Sequence, residues 1–158
     1  MRKQTLMTIV LFLGLLTNAS GQLTQEQFTL NDKGQYHFSK AIELPDATET
    51  DIIGKTKKFL KEYTEHLEGT TWQQVKGKNV VEASVEIKSP RLLIINITIS
   101  AVKGKYTYDI KGIEFFYRET WWPAETVLGN TKADFNEIRT ELLEGATKLC
   151  NDIENGIK

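Results

Sequence analysis

The sequence predicts a two-layer α+β sandwich, in which a curved antiparallel sheet carries both of its helices on one face. Three observations carry this reading. The elements run strand, helix, four strands, helix. The last four strands are joined by the short turns Lys76-Gly77-Lys78, Ser89-Pro90-Arg91 and Lys103-Gly104-Lys105, which leave room only for antiparallel neighbours. Each strand and each helix has a single apolar side, so one sheet face is buried under the helices and the other is wet.

The elements follow in order. In Gln35–Leu44, Tyr36, Phe38, Ile42 and Leu44 lie on one side and His37, Ser39 and Glu43 on the other, with Lys40 interrupting the apolar side and Pro45 ending the strand. Thr48-Glu49-Thr50-Asp51 has a capping hydroxyl followed by first-turn acids. Ile52, Ile53, Phe59, Leu60, Tyr63 and Leu67 then fall in one arc of a helix that Gly69 closes. Thr70–Val75 is a short strand. Asn79–Lys88 alternates Val81, Ala83, Val85 and Ile87 against Glu82, Ser84, Glu86 and Lys88. Leu92–Val102 sets Leu93, Ile95, Ile97, Ile99 and Ala101 against Asn96, Thr98 and Ser100. Tyr106–Tyr117 changes phase, from Tyr106, Tyr108 and Ile110 to Ile113, Phe115 and Tyr117, and a one-residue shift beside Gly112 predicts a β-bulge. Arg118–Thr131 reads as a loop. The closing helix, Ala133–Asn155, has a stripe of Phe135, Ile138, Leu142, Ala146, Leu149 and Ile153, with Gly145 weakening its middle.

The N-terminus reads as an address. Arg2 and Lys3 precede the apolar run Leu6–Leu16 and the small residues Ala19, Ser20 and Gly21, the parts of a secretory signal peptide over residues 1–21 with cleavage before Gln22. The run is too short for a spanning helix, which needs roughly 20 apolar residues, and no Cys stands there for lipid attachment. The 158-residue chain has 20 Lys+Arg and 21 Asp+Glu. Losing Arg2 and Lys3 takes the basic count to 18 and the net charge to −3. The expected product is an acidic, exported protein of the periplasm or the extracellular space, with a poorly structured lead-in over 22–34 and one domain over 35–157.

The order of elements matches the TATA-binding-protein-like (TBP-like) fold. With the export signal, the strand–helix opening, the segment Lys103-Gly104-Lys105-Tyr106-Thr107-Tyr108 and Ile113-Glu114-Phe115, the chain resembles a domain-of-unknown-function family (type 4468) common in secreted proteins of Bacteroidetes. The resemblance covers about Tyr36 to Phe116. It implies a TBP-like sandwich and a bacterial envelope setting, and it supplies no catalytic residues and no cofactor. TATA-binding protein itself uses its concave sheet face on DNA. Here that face is acidic and hydroxyl-rich, without a Lys/Arg excess or apolar wedges, so nucleic acid is not an expected partner.

Little in the sequence points to catalysis. Cys150 stands alone, which excludes a disulfide framework and a Cys-cluster zinc site. It borders the apolar stripe of the closing helix and reads as a small buried hydrophobe. His37 and His66 have no His or Cys at ligand spacing. Glu82 and Glu86 share a strand face about 13 Å apart, farther than a glycosidase carboxylate pair, while the position of Asp109 relative to them depends on strand register. There is no GxSxG and no Gly-rich phosphate loop. The sequon Asn96-Ile97-Thr98 falls in a central strand and, in a bacterial protein, carries no modification.

Two binding leads remain. Trp121 and Trp122, framed by Arg118 and Glu119, supply aromatic contact area in a loop, and the alternative is that one or both rings cap the core where the sheet meets the second helix. Trp72, on its short strand, reads as core. The wet sheet face offers Glu86, Thr98 and Asp109 among other polar groups. The expected function is therefore a non-enzymatic, cofactor-free envelope module that binds a protein, peptide or glycan. A hydrolase with a dispersed carboxylate site and a structural envelope component are the alternatives.

Overall fold

β-Branched side chains pack well on a pleated surface, and they build the centre of this sheet. In the computed structural model, which describes residues 21–65 and 69–158, β4 (Val80–Ile87), β5 (Leu93–Val102) and β6 (Lys105–Tyr117) follow one another as an antiparallel meander. Their inward residues meet across the strands: Val81 opposite Ile99, Val85 opposite Ile95, and Ile97 opposite Ile110. All of these are buried. Cross-strand pairs of this kind each contribute roughly 0.2–1 kcal/mol relative to alanine. β3 (Thr71–Gln74) pairs with the outer side of β4, and β2 (Tyr36–Glu43) pairs with β6.

Both long helices cover the buried face. α1 (Glu49–Thr64) starts at Thr48, whose hydroxyl accepts from the Asp51 amide at 3.2 Å while the Asp51 carboxylate accepts from the Thr48 amide at 3.1 Å. It buries Ile52, Ile53, Phe59 and Leu60. The final helix, Asn136–Gly156, buries Ile138, Leu142, Ala146, Leu149 and Ile153, the stripe that its sequence predicts. Gly145 has a use that helix propensity does not reveal. A Cβ there would sit 2.5 Å from Leu93 Cδ1, so the missing side chain lets the helix lie close over β5. The predicted signal segment, apart from Gly21, and His66 and Leu67 lie outside the described residues. Among the described residues no helix is long and apolar enough to cross a membrane.

The predicted bulge is present. The β5–β6 register runs from Asn96 opposite Lys111 to Ile94 opposite Glu114, so Gly112 and Ile113 stand against Ile95 alone. Gly112 has φ +54°, a left-handed conformation that glycine adopts without steric cost. A Cβ at this position would also lie 2.7 Å from the Asn96 amide nitrogen.

Two expectations are corrected. The lead-in over 22–34 is structured. Thr24 and Gln27 form a capping box on a short 3-10 turn, the Leu23 amide donates to Thr147 Oγ1 at 2.8 Å, and Leu23 and Phe28 are buried in the core. The Phe28 ring lies 6.0 Å from that of Phe38. Beyond it β1 (Thr29–Leu30) pairs with β2. The packed domain therefore begins near Leu23 rather than at residue 35. Two isolated apolar anchors set no period, which is why the pattern was invisible in the sequence.

The second correction concerns Arg118–Thr131. Arg118 (φ 49°) and Glu119 (φ 63°) form a tight left-handed turn of the kind that joins two-residue hairpins. It leads into β7 (Thr120–Pro123), paired with β6, and then into α2 (Glu125–Leu128), with α3 the final helix. Neither turn position is Gly or Asn, so the usual signal was missing. The sheet thus has seven strands in the order β1-β2-β6-β5-β4-β3, with β7 on the second half of β6.

If the lead-in is part of the core, Phe28→Ala will lower unfolding stability by about 3–5 kcal/mol in urea melts of residues 22–158. A change under about 0.5 kcal/mol, typical of a surface substitution, would show that the segment is accessory.

Candidate ligand-binding face

Strand alternation sends every second residue of the sheet away from the helices, and the observed register places these in rows. Gln73, Glu82, Thr98, Asp109 and Ser39 lie side by side across five strands. The next row holds Thr71, Ser84, Asn96, Lys111, His37 and Thr29. A hollow of about 490 Å3 opens over these rows, lined by Thr71, Gln73, Glu82, Ser84, Thr98 and Lys111 among others. Gly112 and Gln35 lie at its β6 side.

The polar groups of the face fall into two sets. Toward β1 they bond to one another. His37 Nδ1 lies 2.7 Å from Asp109 Oδ1, Lys111 Nζ is 3.5 Å from Asp109 Oδ2, and Thr29 Oγ1 is 3.1 Å from His37 Nε2. The asparagine amide of Asn96 donates to the Gly112 carbonyl at 3.3 Å. Toward β3, the side chains of Thr71, Gln73, Glu82, Ser84 and Thr98 engage no protein partner among the described residues.

The six candidate residues separate. Thr98 and Asp109 are brought together as a direct cross-strand pair. Glu86 shares their face but lies toward its far end, where Lys88 Nζ is 3.9 Å away and the Thr70 hydroxyl accepts from the Glu86 amide. Trp121 and Trp122 do not form one patch, which corrects the expectation of an aromatic loop. Both are on β7, and Trp121 lies opposite the outward Phe116 while Trp122 lies opposite the buried Phe115. The two rings therefore point to opposite sides of the sheet. Trp121 meets Phe116 edge-on, with ring centroids 5.4 Å apart, and each is 37 % exposed. Trp122 donates its indole N–H to the Tyr117 carbonyl at 3.2 Å. Arg118 sits in the turn, its guanidinium 5.1 Å from the centre of the Tyr117 ring.

Carboxylates do not converge on the face. Glu82 and Asp109 share a row with Thr98 between them, two strand spacings or about 10 Å apart, and Asp109 is held by His37 and Lys111. Among the described residues no group of three His, Cys, Asp or Glu is placed to hold a metal ion. Sequence reasoning missed His37, Lys111 and Thr29, whose proximity to Asp109 depends on register alone.

On the helix side, Lys40 no longer looks like an interruption. It reaches Glu154 of α3 at 2.8 and 3.0 Å, and Glu154 also accepts from the Tyr108 hydroxyl at 2.6 Å. Cys150 lies buried beside this group, as expected. Burial is the largest cause pushing its thiol up to about 12, with the Glu154 charge adding and a hydrogen bond from Tyr108 opposing. Burial likewise raises the Tyr108 and Tyr106 phenols. Trp72 pairs with the buried Ala83 and packs against the core.

Comparison with known proteins supplies a fold and no activity. No family model matches the chain, and no curated protein does. Among solved structures, a DUF4468 family protein from Bacteroides ovatus is similar over 83 % of this chain and 90 % of its own, with a TM-score of 0.70 and 18 % identity. A TBP-like protein from Parabacteroides distasonis is similar over 80 % of this chain and 95 % of its own, with a TM-score of 0.65 and 15 % identity. Both come from Bacteroidetes. The TBP-like α+β fold implied by the sequence resemblance is thereby shown.

The Cys150 thiol titrates near 9 in the unfolded chain and near 12 in the fold. Above about pH 9 the unfolded state holds fewer protons, so stability falls as pH rises toward 12. In Cys150→Ala the decline between about pH 9 and 10 will flatten, because the buried tyrosines contribute only at higher pH. An unchanged slope in denaturant melts across that window would contradict the buried thiol.

Proposed function

We propose that this protein is an exported cell-envelope module that binds a polar partner on its wet sheet face and performs no chemistry on it. The partner class spans protein, peptide and glycan. The hollow carries the reading, with five polar side chains over about 490 Å3 that are spent on no partner of their own. Polar groups already exposed to water and unpaired lose little when a ligand replaces that water, and they gain directional contacts. Export rests on the N-terminal signal, and the absence of nucleic acid among the partners rests on charge. Glu82, Glu86, Asp109 and Glu114 share the face with Lys105 and Lys111, which opposes a polyanion.

Filling the hollow tests this. Thr98→Trp places a bulky ring at its centre on a strand position that tolerates aromatics. Residues 22–158 will bind members of a printed array of oligosaccharides and peptides, and Thr98→Trp will reduce that binding at least tenfold with the melting temperature held within a few degrees. Binding to nothing, or equal binding by the variant, overturns the reading.

One observation favours a hydrolase as the second reading. Thr29, His37 and Asp109 follow the order hydroxyl, imidazole, carboxylate at 3.1 and 2.7 Å, the geometry of an activated nucleophile. In such a step His37 Nε2 takes the hydroxyl proton as Thr29 Oγ1 bonds to an ester carbonyl carbon. The alcohol then leaves with that proton, and water releases the acid from Thr29. A fluorophosphonate probe decides it. Labelling of Thr29 that vanishes in His37→Ala establishes the hydrolase, and an unlabelled protein removes it.

A further inference from the structure

The ligand class of the wet face can be narrowed, on the premise that the hollow is a binding site. We infer that it takes a neutral oligosaccharide, with the Trp121–Phe116 pair as a second subsite beyond the Gly112 bulge.

The backbone excludes one mode of recognition. Peptides that are read by main-chain hydrogen bonds add to a sheet edge. The hollow lies over β3, β4, β5 and β6. β4, β5 and β6 are paired on both sides, so their amides and carbonyls are committed within the sheet, and the free edge of β3 lies in the plane of the sheet beside the hollow rather than over it. Side chains alone face the ligand. Those side chains are hydroxyls from Thr71, Ser84 and Thr98 and amides from Gln73, Asn96 and Gln35, groups that donate and accept alike. A ligand dense in neighbouring hydroxyls has the same dual character at the same spacing. One carboxylate, Glu82, and one ammonium, Lys111, complete the charge of the lining, so a charged polymer finds no run of opposite sign.

The aromatic pair adds the second observation. Phe116 and Trp121 are outward on the same sheet side as the hollow, half-exposed and locked edge-on to each other. Large apolar rings on a mainly polar face leave apolar surface in water, and the C–H face of a sugar ring is a matching surface that keeps its hydroxyls solvated at the rim. Phe116 lies five positions after Lys111 along β6, or about 17 Å at the strand rise. Only a chain of several sugar rings reaches both. Trp122, turned to the opposite side of the sheet, takes no part and serves as an internal control.

Calorimetric titration with neutral hexasaccharides of glucose, mannose and N-acetylglucosamine tests the inference on residues 22–158. At least one will bind. Trp121→Ala will weaken it at least tenfold, Trp121→Tyr will recover most of the loss, and Trp122→Ala will change it less than twofold. Thr98→Trp will abolish it. If the hexasaccharides fail while array peptides bind in a Thr98-dependent way, the glycan assignment falls and the hollow stands. If oligosaccharides bind with no dependence on Trp121, the second subsite falls. If nothing binds, both the hollow and its ligand class are overturned.

Discussion

A single left-handed residue organises this molecule. Gly112 lets β6 slip one residue against β5 while every inward side chain stays inward. Without the slip, Ile113 and Phe115 would face water and Glu114 would face the core, because a one-residue shift exchanges the faces of a strand. The bulge also divides the free side of β6. Before it, Lys105–Lys111 pairs with β2; after it, Glu114–Tyr117 pairs with β7. The hydroxyl- and amide-lined hollow therefore lies on one side of the bend and the aromatic pair on the other. Asn96 ties the two regions, since its amide bonds the Gly112 carbonyl while its side chain lines the hollow.

The buried face answers to a different constraint. Its polar groups include the buried Thr56, whose hydroxyl donates to the Ile52 carbonyl at 2.8 Å, and a cluster in which Lys40, Tyr108, Glu154 and Cys150 gather near the end of α3. A partly buried charge is tolerated when its hydrogen bonds are supplied, and the half-buried Glu154 receives them from both the ammonium and the phenol. The lead-in residues Leu23 and Gln27 and the ring of Phe38 close over this group. This explains why the segment before β2 folds onto the domain. It covers polar atoms as well as apolar ones, and a chain starting at residue 35 would leave them open.

How much of this the sequence discloses depends on whether a feature repeats. Val81, Ala83, Val85 and Ile87 repeat at the strand period, and Ile138, Leu142, Ala146 and Leu149 at the helix period, so the meander, its bulge and both long helices were legible. Leu23 and Phe28 repeat at nothing. Arg118 and Glu119 hold a left-handed turn without the glycine or asparagine that announces one, so from sequence β7 looks like loop and the tryptophans like neighbours on one surface. Thr98 and Asp109 were legible as outward residues. Their pairing with each other, and the approach of His37 and Lys111 to Asp109, is a matter of register between distant strands, which local pattern does not encode.

The same separation governs what fold likeness conveys. The inward residues fix the sandwich, and a fold with a TM-score of 0.70 is kept at 18 % identity because many combinations of apolar side chains fill such a core. The outward residues contribute little to that packing, since the sheet's backbone bonds are complete without them. They are free to change without loss of the fold, so a likeness of fold carries no information about what they recognise. A neighbour's ligand therefore does not follow from a neighbour's backbone. For this reason the likeness of backbones does not by itself convey the DNA-binding use of the concave TBP sheet to this chain. Here the corresponding face presents neutral hydroxyls and amides beside scattered acids, and it ends in one fixed aromatic pair. On the proposed reading, what this chain binds is decided by outward side chains that the core neither requires nor forbids.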